Sequence, residues 1–324
     1  MRRSFLRAAA LFLVLLLLLL PLGGCAAEQQ SGEVRIVCTI FPLYDFVTTL
    51  LGTEEGVLLL SDNGNDPHNY QPTVRDIIAV ENAALFLYVG GISDAWATEI
   101  AKPKGTFLAL IDAVELCKSD HDHAEGEHDH HGHDHSDVDE HFWLSLSNAQ
   151  KAVSAIAEAL RGFDFADAET VTANETAYLA SLSALEARYH AAVDSATCRE
   201  IMVADRFPFQ YLVSELHLTH YAAFPGCSAE TEASFSTVVT LSEIFRTHAL
   251  PVLLVTETGD RALAETVLRV SGRTDAEILV LHSCQSVTRA EWENGTDYLS
   301  IMEENLGVLV RALSCESPAP RDTK

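Results

Sequence analysis

Val171, Tyr178, Leu182, Leu185 and Tyr189 recur at roughly helical spacing, so residues 167–194 read as one uninterrupted helix. At about 1.5 Å per residue, a helix of about 28 residues is some 40 Å long. That is enough to reach from one folded half of a chain to another. A long helix in mid-chain, with strand–helix alternation on both sides of it, leaves few architectures open.

The alternation is legible in both halves. Before the long helix, β-branched and apolar runs at 34–40, 57–60, 84–89 and 106–110 read as strands. Stretches at 45–51, 74–81 and 96–101 read as helices between them, and 148–160 as a helix just ahead of the long one. After it, 201–204, 218–222, 252–255 and 278–281 read as strands separated by helices. Strands alternating with helices predict parallel sheets covered on both faces. The fold class is therefore α/β: two lobes, each a mainly parallel sheet flanked by helices, joined by one long linking helix. No internal repeat is evident from the sequence.

The N-terminus carries Met1, Arg2 and Arg3 followed by an almost wholly apolar run from Ala8 to Leu22. A positive start, an apolar stretch and a small-residue end make a secretory signal. Leu22-Gly23-Gly24-Cys25 has the form of a bacterial lipobox, with Cys25 as the acylated residue; a plain signal peptide or an anchor helix are the alternatives. The expected location is extracytoplasmic, with a lipid on Cys25 tethering the protein to the outer face of the cytoplasmic membrane. Of the seven cysteines, setting Cys25 aside leaves six, an even set for an oxidising compartment. Cys38–Cys117, Cys198–Cys315 and Cys227–Cys284 are the expected within-domain pairs, although sequence does not fix connectivity. The net charge of −26 argues against nucleic acid, which needs a basic face. It suits attraction of cations.

Residues 119–140 hold almost nothing but His, Asp, Glu and Gly, and such a composition cannot bury a core. His121, His123, His128, His130, His131, His133 and His135 lie in it, interleaved with carboxylates. Neutral imidazole binds zinc, copper, nickel and iron, so this loop reads as an auxiliary metal-binding segment. Three other histidines fall at loop or strand-end positions: His68 in Asp66-Pro67-His68-Asn69-Tyr70-Gln71-Pro72, His141 in Asp139-Glu140-His141-Phe142-Trp143-Leu144, and His282 after the last apolar run. Ligands of parallel sheets gather at the carboxyl ends of strands. Spread over both lobes, these three can meet only at the interface.

Asp66-Pro67-His68-x-Tyr70-x-Pro72-Thr73 and Glu140-His141-Phe142-Trp143-Leu144 resemble the first and second metal-ligand motifs of the zinc- and manganese-type solute-binding lipoproteins of ABC importers. The likeness runs from about Val34 to Leu313, and the His-rich loop sits where zinc-specific members carry one. It implies a rigid linking helix and a monomer. It also implies capture of a transition-metal ion for delivery to an ABC importer permease; imidazole-rich sites favour zinc over manganese, whereas copper and nickel bind at least as well by affinity alone, so supply also decides. It assigns His68 and His141 as ligands, and His282 at about the place of the family's last one. The match departs in Asp205-Arg206-Phe207-Pro208-Phe209-Gln210-Tyr211, where Arg206 falls closest to a ligand position. Arginine has no lone pair to offer. Asp205 beside it, Glu257 after 252–256, and Glu230 or Glu232 are the remaining carboxylate candidates, each equally a partner for a salt bridge, Arg206 included.

The implied organisation is a signal peptide at 1–24, a lipidated spacer at 25–33, an N-terminal metal-binding lobe at 34–147, a helical region with the linking helix at 148–196, a C-terminal lobe at 197–315 and a tail at 316–324. Two other functions stay open: a metal-buffering or adhesin lipoprotein without a transport role, and an extracytoplasmic zinc hydrolase. No HExxH, GxSxG or Walker motif occurs, so a binding protein rather than an enzyme is expected.

Overall fold

Three donors on one helix tie the two halves of the molecule together. Asn174 Nδ2 donates to Leu50 O at 3.1 Å and Tyr178 Oη to Asp45 Oδ2 at 3.1 Å, both in the first half. Tyr189 Oη donates to Met302 O in the second. The helix is Ala168–Asp194, and Asp167 caps it by accepting from Thr170 N at 3.0 Å. The five apolar residues that marked it in the sequence are all buried. Each contributes about 1.5–3 kcal/mol by leaving water.

The computed structural model describes residues 33–64, 66–100, 105–117, 138–224, 226, 233–273 and 275–315. From Val34 on, the chain forms one compact unit. In chain order the elements are β1 (Ile36–Cys38), α1 (Phe41–Leu51), β2 (Val57–Leu59), α2 (Val74–Asn82), β3 (Leu85–Tyr88), α3 (Trp96–Glu99), β4 (Thr106–Ala109), α4 (Leu146–Leu160), α5 (Ala168–Asp194), β5 (Glu200–Val203), α6 (Gln210–Glu215), β6 (Thr219–Ala222), α7 (Phe235–Thr247), β7 (Val252–Val255), α8 (Arg261–Ser271), β8 (Glu277–Val280), α9 (Arg289–Glu293) and α10 (Tyr298–Ala312). Each predicted strand is present: four are one or two residues shorter than the apolar run, the first is four shorter, and three keep their length. Helix α1 begins at Phe41, earlier than its periodicity suggested, because Pro42 presets the helical φ of its first turn.

Both sheets are parallel throughout, in the orders β2-β1-β3-β4 and β6-β5-β7-β8. The two halves thus repeat one topology, which the sequence did not reveal. In each, the chain reverses its direction of winding beside the first strand, and the carboxyl ends of the strands there form a crevice. That crevice lies between β1 and β3 in the first lobe and between β5 and β7 in the second, and the loop after β2 leaves the neighbouring strand on the same side. A single apolar core runs through α1, α4, α5 and α10 and joins the inner faces of both sheets.

Further bonds hold lobe to lobe. Trp143 Nε1 donates to Ser283 O at 2.8 Å, Tyr211 Oη to Asp139 O at 2.8 Å, and Tyr298 Oη to Trp143 O. Arg289 pairs with Asp62 at 2.9 Å.

Of the three expected cysteine pairs, one forms: Cys198–Cys315, Cα–Cα 5.7 Å, which joins the start of β5 to the residues after α10. The expected Cys38–Cys117 bridge is corrected, since both are free. Cys38 ends β1 inside the core, whereas Cys117 hydrogen-bonds Ser214 of the other lobe. Cys284 is also free and buried, its sulfur 3.8 Å from Met302 Sδ, so the expected Cys227–Cys284 bridge does not form either. Cys227 lies outside the described residues, as do the signal peptide, Cys25, Glu230, Glu232 and the loop histidines from His121 to His135. Among the described residues, no helix is long and apolar enough to cross a membrane.

Candidate metal centre

The loop after β2 delivers His68. Asp66 Oδ1 accepts from His68 N at 3.0 Å and caps a short 3₁₀ turn, Pro67–Asn69, in which proline occupies the first turn. The other oxygen of Asp66 takes Arg206 Nη1 from the second lobe. Arg206 is thus a cation that braces the turn carrying His68.

His141 enters from the end of the His-rich stretch, at the cap of the 3₁₀ turn Phe142–Leu144. Asp139 Oδ1 accepts from His141 N at 2.9 Å and lies 3.0 Å from His141 Nδ1. Glu140 Oε1 lies 3.0 Å from His68 Nδ1. Its Oε2 accepts from Ser93 N at 3.0 Å and Ser93 Oγ at 2.8 Å in the loop after β3. That loop must be bare at Gly91, where a Cβ would stand 2.0 Å from Glu140 Oε2. Burial alone would raise the Glu140 carboxyl; the hydrogen bond from His68 and the charges of His141 and His68 outweigh it and hold it at about 2.

The tautomers follow from these partners. A carboxylate only accepts, so in the neutral rings that bind a metal the Nδ1 of each histidine carries the proton and each Nε2 presents a lone pair. The two Nε2 atoms lie 3.2 Å apart. Two imidazole nitrogens bound to one tetrahedral zinc stand about 3.3 Å apart, from bonds of roughly 2.0–2.1 Å. His68, Glu140 and His141 form one of two groups of potential metal ligands among the described residues. The His141 side chain is 3% exposed and that of His68 16%, so the pair is dry on one side and reachable on the other. Carboxylates on the far nitrogens fix ring orientation and raise ligand basicity, the usual support of a histidine–metal bond.

The other sequence candidates are placed differently. His282 sits across the seam, beside Ser283, which accepts from Trp143. Its Nδ1 accepts from Cys284 N at 2.9 Å in a turn where Cys284 has φ 65°, and lies 3.6 Å from Glu257 Oε1. Glu257 accepts from Ser283 N at 2.9 Å and Ser283 Oγ at 2.6 Å. With Nδ1 accepting, a neutral His282 carries its proton on Nε2, the opposite of His68 and His141. Asp205 is consumed by its own turn: Oδ1 accepts from Arg206 N at 2.8 Å, and Oδ2 from Thr256 N at 3.2 Å and from the Thr256 hydroxyl. A Cβ at Gly259 would lie 1.9 Å from that Oδ2, which shows how closely the turn wraps it. The structure therefore gathers His68 and His141 but not His282, Asp205 or Glu257. It adds Glu140, whose signal in the sequence was its place beside His141.

The model of the zinc-uptake complex component A periplasmic family (ZnuA) matches residues 36–312. Among curated relatives, the zinc-binding lipoprotein AdcA of Streptococcus pneumoniae is 29% identical over 312 residues, covering 92% of this chain and 60% of that protein. The chain thus spans about three fifths of that relative's length. The high-affinity zinc uptake system protein ZnuA of Bacillus subtilis is 28% identical over 296 residues, covering 90% of this chain and 91% of that protein. Among solved structures, the Zn(II)-bound ZnuA-like domain of S. pneumoniae AdcA superposes with a TM-score of 0.71 at 25% identity, over 87% of this chain and 99% of that one. With this two-lobed fold and paired imidazoles at the seam, the chain belongs to the zinc-uptake complex component A family.

Proposed function

We propose that this protein is an extracytoplasmic solute-binding component that captures zinc between its lobes and delivers it to an ABC importer. The observation that carries the reading is the 3.2 Å approach of His68 Nε2 and His141 Nε2, each kept as an acceptor by a carboxylate behind it. A divalent cation between them turns two facing lone pairs from a repulsion into two bonds. An imidazole pair favours zinc over manganese. The relatives are named for zinc binding and uptake, not for a reaction, so the reading is of a carrier rather than an enzyme. Cys25 is proposed as the lipid anchor, on its lipobox. The seven histidines from His121 to His135 are proposed to raise the local metal concentration near the seam. His282 and Glu257 are proposed to close the site from the second lobe once His282 gives up the bond from Cys284 N, moves its proton from Nε2 to Nδ1 and turns the freed Nε2 toward the ion.

Calorimetric zinc titration of the purified chain tests the binding step. One tight equivalent is expected for the native protein and none for His68→Ala or His141→Ala; an unchanged tight equivalent in either variant overturns the assignment. Delivery is tested by zinc-limited growth of a strain lacking the protein. The native chain should restore growth and His141→Ala should not.

A further inference from the structure

The linking helix carries a second set of metal ligands away from the seam. Glu186 and His190 lie one turn apart on α5, so their side chains share a face. Glu215 reaches the same place from the end of α6. One ligand atom from each of the three lies within 4.8 Å of the others. We propose that Glu186, His190 and Glu215 form a second site for a divalent transition-metal ion, bridging the linking helix to the second lobe.

One carboxylate oxygen of the cluster is free to take a cation. Glu215 Oε1 accepts from Ser147 N at 3.3 Å, but Glu215 Oε2 is shielded from solvent and accepts no hydrogen bond among the described residues. Buried carboxylate oxygens are normally satisfied, and one that is not calls for an ion or a water. Glu186 Oε2 accepts from Gln150 Nε2 at 2.7 Å, which orients the group and leaves its other oxygen for a ligand bond. Among the described residues, no lysine or arginine pairs with any of the three. Burial first, and the neighbouring Glu186 after it, raise the Glu215 carboxyl, against hydrogen bonds from Ser145 and Ser147 and the pull of His190. One imidazole and two carboxylates suit zinc and its first-row neighbours. Ligand atoms on one tetrahedral zinc stand about 3.4 Å apart, so the three groups would draw closer on binding. Cys117, which begins the stem of the His-rich segment, hydrogen-bonds Ser214 next to Glu215, so the cluster lies beside that stem.

This site is independent of the His68–His141 pair. The test uses the full chain with zinc alone. Anomalous diffraction from zinc-loaded crystals should show a peak touching Glu186, His190 and Glu215, and His190→Gln should remove it. Calorimetry of His190→Gln should lose one weaker equivalent and keep the tight one, while His141→Ala should lose the tight equivalent and keep the peak at the cluster. His190 is exposed, so its replacement leaves the fold intact, as circular dichroism will register. A wild-type crystal with zinc at the seam but none at the cluster, or a His190→Gln titration that superposes on the native one, overturns the proposal.

Discussion

His68 and Glu140 form a bond that decides which nitrogen of His68 is free. Glu140 Oε1 accepts a hydrogen bond from His68 Nδ1 at 3.0 Å, while Oε2 is held by both donors of Ser93. The carboxylate thus needs two accepting oxygens at once. Glutamine has only one. In Glu140→Gln either His68 loses its orienting partner or Ser93 faces an amide that cannot accept. Zinc affinity is expected to fall by about 10- to 100-fold, the usual effect of removing such a support. Competition against a chelator of known affinity measures it, and native affinity in the variant would exclude the orienting role.

Gly91 is the reason Glu140 can lie where it does. A methyl group there would stand 2.0 Å from Glu140 Oε2 and 2.5 Å from its Cβ. Gly91→Ala must push the glutamate away from Ser93 and from His68. Overpacking of this kind costs about 1–3 kcal/mol of stability, and zinc affinity should drop with it. Chemical denaturation and zinc titration on one preparation read both effects; a loss of stability with native affinity would mean that Glu140 stays in place and the loop after β3 yields instead.

How much of this was legible beforehand varies with the range of the interaction. The long helix and the strands announced themselves through period, because period is a local property. His68 and His141 stood out through their motifs. Glu140 was visible in the same motif, but its role depends on Ser93 and on a bare Gly91, and no spacing shows that. His282 follows the last strand, two residues past Val280, yet its tautomer is set by a positive-φ turn that aims Cys284 N back at Nδ1. Arg206 was legible as a non-ligand, while its partner Asp66, 140 residues away in sequence, was not. The two wrong cysteine pairs fail for the same reason: composition says that thiols can pair, and only packing says which ones meet.

The His-rich segment and the seam are expected to separate cleanly. The ligands at the seam draw their support from Asp139, Glu140 and Ser93, none of which lies within 120–136. A flexible run of imidazoles has no fixed geometry and binds more weakly than an oriented site. Deleting 120–136 should therefore remove the weak zinc equivalents of the loop and leave both the tight one and the equivalent at Glu186, His190 and Glu215. Calorimetry of the deletion protein decides it, and loss of the tight equivalent would place a loop histidine at the seam.

Asp45 makes stability depend on pH where α1 meets the linking helix. Its carboxyl is raised from 3.8 to about 7, first by burial and then by Asp297, with hydrogen bonds from Tyr178 and Tyr298 lowering it in part. The folded protein therefore holds this proton more tightly than the unfolded chain. The contribution of Asp45 is most favourable below about pH 4, declines as pH rises towards 7, and is flat above that. A shift of about three units corresponds to at most about 4 kcal/mol. Asp45→Asn keeps an acceptor for the Tyr178 hydroxyl and cannot ionise. Relative to the native protein it should gain stability steadily between pH 4 and pH 7 and by no more above that. Urea unfolding of both proteins across this range measures the difference, and a gap that does not change with pH would mean that Asp45 keeps its ordinary titration in the fold.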